Sequence, residues 1–185
     1  MSALTIYAQA AADAGETVRD FSEIQSRLAA IGVQFERWNA NQPLAADAEA
    51  EAVLAAYREE IDKLSQSHGF KSVDVISLTP EHPNKDGLRQ KFLSEHTHAD
   101  FEVRFFVAGQ GLFYLHPDEN VYAVLCRAGD LISVPANTPH WFDMGEQPDF
   151  KCIRLFTTPE GWVADFTGSD IASRFPDLDV YATAL

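Results

Sequence analysis

Cysteine is scarce: Cys126 and Cys152 are the only two among 185 residues, and they form no CxxC pair. That excludes a disulfide framework and a thiolate zinc knuckle, and both thiols read as buried strand residues in a reducing cytoplasm. No apolar run approaches the roughly 20 residues that span a bilayer. The N-terminal MSALTIYAQAAADAGE also lacks the basic start and apolar stretch of a secretory signal. Basic residues are few, 14 Lys and Arg against 28 Asp and Glu, which leaves a net charge of −14. Such a field repels phosphate backbones and anionic headgroups, so nucleic acid and membranes are excluded as partners. Repeats, low-complexity tracts and linkers are missing too, and the Gly and Pro residues are scattered as turn punctuation. With hydrophobic residues at 46% and charged residues at 23%, residues 1–185 read as one ordinary globular domain with a helical N-terminal portion.

What is present changes period along the chain. The first 70 residues carry helix signals near Asp20 to Ala30, closed by Gly32, and near Asp47 to Ser67, closed by Gly69. In the second, Val53, Tyr57, Ile61 and Leu64 recur at 3.6-residue spacing, which predicts one long packing helix. Val33 to Trp38 and Ser72 to Leu78 alternate like strands. From about residue 92 the period is two. Phe101 to Val107, Gly111 to Leu115, Val121 to Arg127, Asp130 to Val134 and Lys151 to Thr157 are predicted strands, and His116 to Asn120 is a hairpin turn. Helices followed by a dense antiparallel block imply an α+β, mainly β protein: a barrel or double-sheet jelly roll with the N-terminal helices packed outside.

The segment HTHADFE sets two imidazoles and a carboxylate, His96, His98 and Glu102, at the same parity, so an extended chain aims all three at one face. About forty residues on, GDLISVPANTPHWF turns at Pro135 to Pro139 and delivers His140 where the next strand begins. A single strand histidine is most often satisfied by a neighbour, but a buried Glu among imidazoles costs several kcal/mol unless paired or metal-bound. The cluster therefore reads as a metal site. His68, His82 and His116 have no second ligand at chelating spacing and read as solvated; Glu95 has the wrong parity, and Asp100 sits where the chain bends. Three imidazoles and one carboxylate suit Fe(II), Ni(II), Mn(II) or Co(II) and leave two octahedral positions for a chelating substrate. Arg104 shares the parity of Glu102 and would offset the charge of a bound anion, although a salt bridge at the barrel mouth fits its spacing equally. Phe92, Phe142 and Trp162 lie close by in sequence and could wall a pocket or simply fill the core.

These residues resemble a known superfamily. HTHADFEVRFFVAG, with its HxHxxxE core and Gly109, is similar to the first cupin motif, and GDLISVPANTPH is similar to the second, with Asn137 where many cupins have Gly. The resemblance implies a cupin-type antiparallel β-barrel, a double-stranded jelly roll. More narrowly, the combination of EHxHxxxExR with PxxTxHWFD resembles the acireductone dioxygenase family of methionine salvage, over nearly the whole chain. That resemblance implies a monomeric enzyme. It makes His96, His98, Glu102 and His140 the ligands of one Fe(II) or Ni(II), puts Arg104 against the substrate, and places Phe92, Phe142 and Trp162 around it. The implied substrates are 1,2-dihydroxy-3-keto-5-methylthiopentene and O2. With iron the family yields 4-methylthio-2-oxobutanoate and formate; with nickel it yields methylthiopropanoate, formate and CO. Another cupin metalloenzyme, such as an oxalate oxidase, and a noncatalytic ligand-binding cupin are the competing readings.

Overall fold

The computed structural model describes every residue except Ala46 and the side chain of Ser67. In chain order the elements are β1 (Ala3–Ala8), β2 (Gly15–Val18), α1 (Phe21–Ala29), β3 (Gln34–Arg37), α2 (Ala50–Ala56), α3 (Arg58–His68) and β4 (Ser72–Leu78). Then follow α4 (Lys85–Leu93), β5 (His96–Thr97), β6 (Glu102–Leu115), β7 (Asn120–Arg127), β8 (Asp130–Val134) and β9 (His140–Asp143). The chain closes with β10 (Phe150–Phe156), β11 (Asp165–Phe166), a 3-10 turn at Ile171–Arg174 and α5 (Leu178–Ala184).

Two antiparallel sheets share the long strand β6. Its first half pairs with β8 on one side and β10 on the other, and these continue to β3 and β4. Its second half pairs with β7 and β9, which continue to β1 and β2 and to β5 and β11. The changeover falls at Gly109, whose φ of 73° is open to glycine at little cost. A Cβ there would lie 1.9 Å from the Asp149 carbonyl oxygen. The ladder to β10 slips two residues earlier, at Val107, between Lys151 and Cys152.

A one-residue slip exchanges the faces of a strand. Before Gly109, Glu102, Arg104 and Phe106 point between the sheets; after it, Phe113 and Leu115 do, packed with Leu4, Val124, Ile132, Phe142 and Cys152. The outward residues of the first half, Val103, Phe105 and Val107, lie under Val53 of α2 and Tyr57. Those of the second half, Leu112 and Tyr114, lie under Ile171, Phe175, Leu178 and Tyr181. Both faces of β6 are thus covered, which is why it reads as a near-continuous apolar run.

Several expectations need correction. The long helix expected from Asp47 to Ser67 is two, broken at Tyr57, whose φ of −110° and ψ of 19° leave the helical region. Its ring packs edge-on against Phe105 at 5.3 Å, so the residue at the break is anchored on the sheet. The strands expected at Phe101 to Val107 and Gly111 to Leu115 are the two halves of β6. Helices are not confined to the N-terminal portion, because α4 and α5 lie further along. The helix α1 agrees with the sequence, with Asp20 capping it through the Glu23 amide, and Gly69 closes α3 in the left-handed region. Cys126 and Cys152 are both buried and unpaired.

Candidate metal centre

His96 sits on β5 directly opposite His140 on β9, in register across the ladder. After Thr97 the chain leaves the sheet, bends at Ala99 and Asp100, and re-enters as β6 at Glu102. Shared parity along one continuous strand therefore does not explain the cluster; convergence of three strands and a bend does. One ring nitrogen from each of His96, His98 and His140 lies within 4.8 Å of the others, and all three residues are buried. Glu102 joins them, its Oε2 3.2 Å from His140 Nε2 and 3.7 Å from His98 Nε2.

The other nitrogen of each ring is held by backbone. The Nδ1 atoms of His96, His98 and His140 contact the carbonyl oxygens of Ser94, Val163 and Thr138 at 2.7, 2.8 and 2.7 Å. A carbonyl can only accept, so each Nδ1 carries the proton and each Nε2 presents a lone pair. Burial, with His140 and His98 adding to it, pushes His96 down to about 4, so it is neutral at physiological pH. Burial also lowers His98, although Glu102 opposes the shift. Burial works against ionisation of Glu102 itself, but Arg104 and the neighbouring imidazoles hold its carboxyl well below the usual range. Glu102 Oε2 and His140 Nε2 are buried without a hydrogen-bond partner. Buried polar atoms normally have partners, and an acceptor-only pair aimed at a common point is what a cation would satisfy. The donor set fits a divalent metal.

Arg104 is 3% exposed and donates from Nε to Glu102 Oε1 at 2.7 Å, so the mouth salt bridge considered from sequence is an interior pair. Its guanidinium lies 4.6 Å from the Phe142 ring centroid, 4.9 Å from Phe113 and 6.0 Å from Phe92. Its Nη1 is buried and unpartnered. A cavity of about 230 Å³ opens onto His96, His98 and Arg104, and Phe92 and Trp162 are in its wall. Trp162 is 49% exposed and so forms part of the rim, while Phe142 lies beneath Arg104 rather than in the wall.

Sequence reasoning missed Lys91, Arg154 and Phe166, which also line this cavity. Phe166 packs 5.8 Å from the His96 ring, and only the β5–β11 pairing brings it there. His116 is not solvated as expected: its Nδ1 contacts Glu95 Oε2 at 2.9 Å, and Thr167 donates to the other oxygen of Glu95 at 2.7 Å. Asp100 is a bracket, accepting from the amides of Phe101, Thr157 and Thr158. It thereby fixes the start of the segment whose Val163 carbonyl orients His98. Asn137 has a φ of 61° in the turn before His140, and its amide donates to the His98 carbonyl at 2.8 Å.

Comparison with known proteins gives a consistent answer. The profile described as the ARD/ARD' family matches residues 3–164. Acireductone dioxygenase of Methylococcus capsulatus is 60% identical over 181 residues, 98% of this chain and 97% of its own. The Aquifex aeolicus protein of the same name is 62% identical over 182 residues, covering 97% of each chain. Among solved structures, acireductone dioxygenase from Bacillus anthracis with a cadmium ion in its active centre superposes with a TM-score of 0.78 at 34% identity. That match covers 90% of this chain and 98% of the other.

Proposed function

This chain belongs to the ARD/ARD' family, an enzyme family of cupin-type dioxygenases, and on that premise we propose that it is an Fe(II)- or Ni(II)-dependent acireductone dioxygenase. Its ligands in this reading are His96, His98, Glu102 and His140, one metal per chain, and its substrates are 1,2-dihydroxy-3-keto-5-methylthiopentene and O2. The observation that carries the ligand set is the convergence of buried acceptors, with Glu102 Oε2 and His140 Nε2 both lacking a partner. When bound, the metal supplies Lewis acidity and a template for two neighbouring substrate oxygens.

The side chains do the rest. The backbone carbonyls of Ser94, Val163 and Thr138 lock the ring tautomers, so no reorganisation is needed when a cation enters. Arg104 is fixed in place by its hydrogen bond to Glu102, and the N–H groups of its unpartnered Nη1 serve an enediolate oxygen. Phe92, Trp162 and Phe166 exclude water and seat an apolar methylthio tail. Phe142 supports the arginine from below.

With iron the products are 4-methylthio-2-oxobutanoate and formate; with nickel they are methylthiopropanoate, formate and CO. Residues 1–185 act as one unit, a reading supported by the span of the family match, and in a reducing cytoplasm, a reading supported by two buried, unpaired cysteines. Among the described residues no helix is long and apolar enough to cross a membrane. The test is anaerobic reconstitution of the metal-free protein with Fe(II) and, separately, Ni(II), followed by product analysis after adding acireductone and oxygen. Keto acid from iron and CO from nickel are expected. Stoichiometric metal binding with no oxygen uptake in either form would overturn the reading.

A further inference from the structure

Arg104 and Arg154 face each other in register across the β6–β10 ladder, and both line the 230 Å³ cavity beside His96 and His98. Like charges directly opposite on one face of a sheet destabilise it. Each guanidinium is held by a carboxylate of its own: Glu102 takes Nε of Arg104 at 2.7 Å, and Asp74 takes Nε and Nη2 of Arg154 at 2.9 and 2.6 Å. In both cases the carboxylate leaves Nη1 uncommitted, and that of Arg104 is buried without any partner. Lys91 adds a third cation to the same wall, and among the described residues no carboxylate lines it. In a chain of net charge −14, a small cavity whose wall carries two guanidiniums and an ammonium stands out as a place for an anion, even with Glu102 and Asp74 offsetting the arginines.

Guanidinium groups suit carboxylates because their planar N–H pairs match two oxygens. We propose that Arg154, paired across the ladder with Arg104, completes a carboxylate subsite beside the histidine cluster. The subsite takes the acid that the reaction makes and so renders that acid a competitive inhibitor of acireductone. The identity of the acid rests on the dioxygenase reading; the subsite itself does not.

The probe is 4-(methylthio)butanoate, which carries the same tail and carboxylate but no oxo group to chelate a metal. It is titrated calorimetrically into the metal-free protein, with 4-(methylthio)butanamide as the uncharged control. Saturable binding of one acid per chain is expected, with the amide at least about tenfold weaker, since a lost charge-assisted contact costs a factor of that order. Arg154→Gln should weaken the acid by about tenfold while leaving the amide unchanged, and Arg154→Lys should restore part of the difference. Equal affinity for acid and amide in the wild-type chain, or undiminished acid binding in a folded Arg154→Gln protein, overturns the proposal. If Arg154→Gln does not fold, the acid-to-amide ratio of Arg154→Lys against wild type decides, and an unchanged ratio overturns it. In the iron-loaded enzyme the keto acid should raise the apparent KM without lowering kcat. An enzyme that turned over no acireductone would defeat the dioxygenase reading while the metal-free titration still tested the subsite.

Discussion

Two of the buried carboxylates that pair with arginine, Asp143 and Glu102, are finished differently. Asp143, at the end of β9, is saturated: Oδ1 accepts from Arg89 Nε and the Gly145 amide, and Oδ2 accepts from Arg89 Nη2 and the Leu178 amide. Glu102, at the start of β6, accepts from Arg104 with Oε1 and leaves Oε2 bare beside two imidazoles. Burial alone therefore does not mark a functional charge. A saturated carboxylate ties segments together, here α4, β9 and α5; an unsaturated one is held ready for a partner that arrives from outside.

The largest effect expected from this contrast is on metal retention. His140→Ala removes one acceptor from the open cluster, so metal per chain after desalting should fall from about one toward zero, and activity with it. The thermal midpoint of the metal-free variant should stay close to that of the metal-free wild type, and stoichiometric retention would erase the distinction. Asp143→Ala should do the opposite. Loss of a saturated buried partner costs about 3 kcal/mol in urea unfolding, while the folded fraction keeps its metal.

Asp100→Asn tests a saturated carboxylate that is wired to the centre. It should weaken metal binding by about tenfold in a chelator competition, because the segment carrying the Val163 carbonyl loses its bracket. The smallest effect is a pH slope. Burial opposes ionisation of Asp143, but Arg89 and the amides of Leu178 and Gly145 hold its carboxyl below the usual 3.8. As pH falls below 3.8 the unfolded chain takes up that proton first, so the stability from Asp143 is present above this value and lost beneath it. Urea titrations of wild type and Asp143→Ala should converge as the pH is lowered through this range.

The histidine and glutamate cluster was legible because these residue types are rare together in a strand and their spacing is short. The parity argument named residues that do converge, but for an incomplete reason, since Ala99 and Asp100 interrupt the strand. Strands β4 and β8 were located to the residue, as alternation bounded by turn residues permits. Helix α4 was not anticipated, because Gly87 and a weak apolar pattern hide its period, so Phe92 was expected in the wall without its helix. Arg154 was invisible for another reason: its place opposite Arg104 depends on ladder register over fifty residues of sequence, which no local pattern encodes.

Strand β6 is hydrogen-bonded on both sides along each half, whereas β5 and β11 are two residues long. Amide hydrogen exchange should therefore be slower at Val103, Arg104 and Phe105, beside Glu102, than around His96, Val163 and Phe166. The centre is thus anchored on the part of the molecule that opens last and gated by the part that opens first. A captured ion would leave by loosening of His96 and His98, with Glu102 the last contact to break.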